Sequence, residues 1–191
     1  YSVAAGDVTG DGRADLAIGC YQTTAPNGQF SGAAAVFTRN AGNSGFDGPS
    51  WLYPPTPVNS AACAIGLAIA DAAGTTARDV IMGCPSTGSA LVFPSVGASG
   101  FAAARPFLSP TAATNQHCGF GIGAGDVDQN GGGDLLLGCY GANTGASSSS
   151  TSMRSRIDCI CACASVLNRS ICKRPVLWLA VFSATPRRIA R

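Results

Sequence analysis

One pattern occurs three times in this chain of 191 residues, and it constrains the fold more than any other feature. The copies read AAGDVTGDGRADLAIGC at 4–20, AIADAAGTTARDVIMGC at 68–84 and GAGDVDQNGGGDLLLGC at 123–139. Their first aspartates, Asp7, Asp71 and Asp126, stand 64 and 55 residues apart. A period of that size holds about four short strands with their turns, a unit that buries its apolar faces only by stacking on its neighbours. Within each copy an apolar run enters a loop rich in Asp and Gly, and a second apolar run leaves it, as in a β-hairpin.

Two further elements repeat in the same order. GAAAVF at 32–37 is echoed by GSALVF at 88–93, each followed by Gly-Phe, at Gly45-Phe46 and Gly100-Phe101, and then by an aromatic near proline, Trp51 or Phe107. Before the second and third loops stand CAIGLAIAD at 63–71 and CGFGIGAGD at 118–126. Composition agrees, because 25 Gly, a single Lys and no Glu suit many short strands better than helices.

Taken together, Phe120-Gly121, the Asp126 loop and the Gly88 strand resemble the FG-GAP repeats of integrin α subunits. The second copy departs from that pattern at Ile65-Gly66, where an Ile replaces the Phe. The resemblance implies an all-β fold, a partial β-propeller of about two to three blades with calcium-binding hairpin loops. Residues 1–146 would form it, with loops at 7–15, 71–79 and 126–134.

The loops carry chemistry of their own. In the first, Asp7, Thr9, Asp11 and Asp15 fall at positions one, three, five and nine, with Gly12 at six. In the last, Asp126, Asp128, Asn130 and Asp134 fall at the same positions, with Gly131 at six. Alternating oxygen-bearing side chains converge on one cation if the loop curls around it, and Gly at six permits the positive φ of so sharp a turn. Position seven, Arg13 or Gly132, would offer its backbone carbonyl. An all-oxygen set of this kind favours Ca²⁺. An EF-hand would carry Glu at position twelve, where these loops have Ile18 and Leu137. Asp-Gly and Asn-Gly are also ordinary turn-forming pairs, and the match of two loops at five positions is what favours a cation. The expected affinity is that of extracellular modules, about 10⁻⁴ to 10⁻³ M, or somewhat tighter. The middle loop keeps Asp71 and Asp79 but has Ala73, Thr75 and Thr76 at positions three, five and six, so it is expected to be a metal-free hairpin. Arg78 is expected to offset the charge of its aspartates.

Cys63 and Cys84, like Cys118 and Cys139, are 21 residues apart, and each pair brackets one hairpin. In an antiparallel ladder centred on the loop such positions lie nearly opposite, within disulfide reach. Cys20 matches Cys84 and Cys139, and its partner would fall just before Tyr1, where the chain looks truncated. Two such bridges imply an oxidising compartment, the secretory pathway or the cell exterior.

Charge divides the chain unevenly. Residues 1–140 carry a net −5 through Asp alone, and residues 141–191 a net +7. Aspartate in Gly-rich loops points to cations and away from nucleic acid. No run of eighteen apolar residues is present, so this segment is not expected to insert in a membrane. Residues 147–191 hold a serine run, closely spaced Cys159, Cys161 and Cys163, and an Asn168-Arg169-Ser170 glycosylation sequon, and they are expected to be a tail outside the fold. His117 is the single histidine, and the aspartates are committed to the loops, so no catalytic set is expected. The resemblance implies a non-catalytic adhesion or ligand-binding module with a protein ligand or partner subunit. An accessory propeller of a secreted hydrolase, similar to a glycosylphosphatidylinositol-specific phospholipase D, is the alternative.

Overall fold

The computed structural model describes residues 1–74, 77–108, 117–126, 129, 133–140, 147–151 and 157–158, with the backbone alone for 117, 139, 140, 147–151 and 157–158. Each repeat becomes one four-stranded antiparallel sheet in which sequence neighbours are spatial neighbours. The first holds β1 (Ser2–Gly6), β2 (Asp15–Cys20), β3 (Ala33–Arg39) and β4 (Phe46–Leu52). The second holds β5 (Leu67–Ala70), β6 (Asp79–Cys84), β7 (Ser89–Phe93) and β8 (Arg105–Leu108). The third holds β9 (His117–Gly125), β10 (Asp134–Tyr140), β11 (Ser147–Thr151) and β12 (Ile157–Asp158).

Side chains alternate across a strand, so each sheet has two faces to cover. The middle sheet is covered on both. Val80, Met82, Leu67, Leu91 and Phe93 pack against Ala17, Ala34, Val36 and Leu52 of the first sheet. Ile81, Ala90 and Val92 pack against Leu135 and Leu137 of the third. Hence all six residues of β6 are buried, and DVIMGC reads as a nearly continuous apolar run. The first sheet has one face packed: Ile18 is 37% exposed, whereas Met82 at the matching position is fully buried.

The glycine of each Ile-Gly-Cys or Met-Gly-Cys ending has a packing reason. A Cβ built on Gly19 would stand 2.0 Å from the carbonyl oxygen of Ala64, and one on Gly83 would stand 1.9 Å from that of Gly119. Ala64 and Gly119 each follow a cysteine, Cys63 or Cys118, and both have positive φ, 67° and 107°. The same backbone approach therefore joins sheet one to two and sheet two to three.

A disulfide joins Cys63 to Cys84. Cys63 stands in the turn before β5, outside the ladder where simple hairpin geometry puts it, because β5 begins only at Leu67. In the third sheet β9 starts earlier, and Cys118 faces Cys139 across a register shift after Gly138. Cys20 carries a free thiol. The boundary expected at 146 falls just before β11, and Ser147–Thr151 runs antiparallel to β10. Backbone groups make such a ladder, so a serine run can occupy it.

Candidate metal centre

The first loop connects β1 to β2 and is built around two carboxylates with different surroundings. Asp7 Oδ1 accepts the N–H groups of Gly10 at 2.7 Å and Asp11 at 3.1 Å, and Asp7 Oδ2 accepts that of Gly12 at 2.7 Å. Partial burial works against the charge of this carboxylate, but the amides of Gly12, Gly10 and Asp11 and the Thr9 hydroxyl prevail and hold its pKa below the ordinary 3.8. Gly12 has φ of 83°, as the turn at position six requires.

Asp15 is fully buried. Its Oδ2 accepts N–H from Val8 at 2.8 Å and Thr9 at 3.1 Å, and its Oδ1 accepts N–H from Arg39 at 2.7 Å. Position nine thus ties the loop to the far end of β3. The middle loop repeats this arrangement without the ligand set: Asp79 Oδ2 accepts N–H from Ala72 at 2.8 Å and Ala73 at 2.6 Å, and Oδ1 accepts that of Ser95 at 2.9 Å. Asp71 Oδ1 accepts N–H from Gly74 at 2.7 Å, as Asp7 does from Gly10. Arg78 forms no ion pair with either aspartate among the described residues, which corrects its expected role. Three backbone amides satisfy the oxygens of Asp79, and the backbone N–H of Arg78 donates to the carbonyl of Asp7 at 3.0 Å.

The loops are chained from sheet to sheet. Besides the Arg78 to Asp7 bond, the Ser95 hydroxyl donates to the carbonyl of Val8, whose side chain is buried in the core shared with the second sheet. Gly133 repeats the first contact one sheet on, since a Cβ there would meet the Asp71 carbonyl oxygen at 1.7 Å. Sequence reasoning missed one conformational constant. Position four is left-handed in all three loops, at Gly10 (φ 75°), Gly74 (74°) and Gln129 (57°), and only glycine at the first two signals it.

Whether these residues suit a hard cation is decided by their oxygens. Thr9 Oγ1 lies 3.3 Å from Asp7 Oδ1 and 3.4 Å from Asp15 Oδ2. Oxygens held at right angles around Ca²⁺ stand roughly 3.3–3.7 Å apart. Both hydrogen-bonded separations, with Thr9 between the two carboxylates, also suit neighbouring oxygens of a calcium shell. Asp11 is turned to Arg13, whose guanidinium occupies one carboxylate oxygen as a cation does. No group of three or more His, Cys, Asp or Glu side chains among the described residues gathers at metal-binding range. In the third loop Asp126 is exposed and Asp134 buried, matching Asp15. Asp128, Asn130 and Gly132 lie outside the described residues.

Two comparisons with known proteins bear on this architecture. Residues 1–37, which contain the first loop, match the family model for the FG-GAP repeat. The chain is also similar to integrin alpha-IIb of Homo sapiens, with 34% identity over 155 residues, covering 75% of this chain and 15% of that protein's length.

Proposed function

The chain belongs to the integrin-type FG-GAP repeats, and we propose that its three sheets are blades of a calcium-binding extracellular β-propeller that engages a protein ligand or partner subunit in cell adhesion. The observation that carries the calcium reading is the oxygen trio of Asp7, Thr9 and Asp15 in a loop whose amides are already arranged around Asp7. Asp7, Thr9, Asp11 and Asp15 with the Arg13 carbonyl would hold one ion, and Asp126, Asp128, Asn130 and Asp134 with the Gly132 carbonyl a second. Bound calcium supplies positive charge to a loop of clustered carboxylates, and the chain's own residues orient the oxygens. The middle loop keeps its shape through Asp79 and the Gly74 N–H bond to Asp71.

Similarity to an integrin α subunit supports the adhesion role and a non-catalytic module. The Cys63–Cys84 bridge supports an extracellular setting, and a second bridge between Cys118 and Cys139 belongs to the same proposal. No helix among the described residues is long and apolar enough to cross a membrane.

Calorimetric titration of the chelator-stripped chain tests the calcium reading. Saturable binding is expected with Kd of about 10⁻⁴ to 10⁻³ M or tighter, abolished in a variant carrying both Asp7→Asn and Asp126→Asn. No heat on adding Ca²⁺ would sink it. The adhesion reading expects cells to attach to a surface coated with the chain in Ca²⁺ and to detach with chelator.

A further inference from the structure

We propose that Arg13 is a built-in competitor for the cation of the first loop, an internal counter-charge that weakens calcium binding there. The inference rests on the calcium reading above. Position seven contributes only a carbonyl to a shell of this kind, so its side chain is open to a second use. Arg13 turns back on the loop: its backbone N–H donates to Asp11 Oδ1 at 2.9 Å and its Nη2 to Asp11 Oδ2.

Both oxygens of the position-five carboxylate are thereby engaged by one residue two places away. The amides around Asp7 and Asp15 are neutral and remain in place when a metal approaches. The guanidinium places a full positive charge on a carboxylate of the first loop, and it must leave Asp11 or share it. Both side chains are about one-third exposed, 35% for Arg13 and 30% for Asp11, so water screens the pair and its effect is modest. The energy typical of exposed pairs corresponds to a change of roughly two- to fivefold in Kd. Gly132 at position seven of the third loop has no side chain to play this part. The two loops are therefore expected to differ in affinity and in their response to salt.

The test is calcium titration of the full chain by calorimetry in an Asp126→Asn background, with the amide resonances of Gly10 and Gly12 followed in the unaltered chain as a second reading of the first loop. Arg13→Gln is expected to tighten Kd about two- to fivefold at low ionic strength, with the gap closing toward 1 M salt. Arg78→Gln removes a nearby charge that is not paired with Asp11, and is expected to give less than half that gain. Equal Kd values for Arg13→Gln and its parent, or an equal gain from Arg78→Gln, would overturn the inference while calcium binding stands. Absence of binding in parent and variant alike would overturn both.

Discussion

The N–H of Arg39 donates to Oδ1 of the fully buried Asp15 across 24 residues of chain, at 2.7 Å. Ser95 and Asp79 stand in the same relation one sheet on, at 2.9 Å. A carboxylate at position nine is thus a bracket for three backbone amides, whatever else it binds.

Its removal is therefore expected to cost stability with or without metal. Asp15→Ala and Asp79→Ala each leave three backbone N–H groups, at least one of them buried, without their acceptor, and a loss of about 2–4 kcal/mol is expected in urea unfolding. The measurement is made in chelator. An Asp79 variant as stable as the parent would show that the bracket carries no weight.

Gly83→Ala is expected to destabilise by about 1–3 kcal/mol, because the new methyl group meets a backbone carbonyl that side-chain rotation cannot clear. Gly12→Ala meets nothing within 4 Å and acts only through its positive φ. Its expected cost is smaller, about 1 kcal/mol. Thermal unfolding of the two variants side by side checks the order.

Acid is expected to weaken the first loop. Burial opposes the Asp7 charge but the loop amides outweigh it, so the folded carboxyl titrates below the ordinary 3.8. A carboxyl depressed on folding contributes stability that is complete above the unfolded value and fades as pH falls through the lower folded one. Unfolding free energies from pH 6 down to pH 2 are expected to fall less steeply below pH 4 for Asp7→Asn than for the parent.

The Cys63–Cys84 bridge closes a loop with a sequence separation of 21. Its reduction is expected to cost about 3 kcal/mol. Alkylation of the native, unreduced chain followed by peptide mass spectrometry is expected to label Cys20 and leave Cys63 and Cys84 unmodified.

The hairpins, their order and the chemical character of each loop follow from sequence alone. Strand alternation and Asp-Gly turn chemistry are local, so GDVTGDGRADLAIG declares two strands and the turn between them without its neighbours. The 21-residue cysteine spacing likewise identifies a bridged pair, though not that Cys63 would sit in a turn, because strand length depends on the partner strand.

Tertiary structure alone decided what the loop residues touch. Asp15 reads as a metal ligand in sequence, and only the approach of Arg39, brought back by β3, shows it to be a buried bracket as well. Arg78 reads as a counter-charge to Asp71 and Asp79 but forms no ion pair with them among the described residues, and its backbone N–H joins two sheets through the carbonyl of Asp7. Arg13 reads as a carbonyl donor, and its side chain proves to hold Asp11. Backbone conformation and turn type are written in a few adjacent residues; which carboxylate meets an amide, a guanidinium or a hydroxyl depends on segments that only folding brings together.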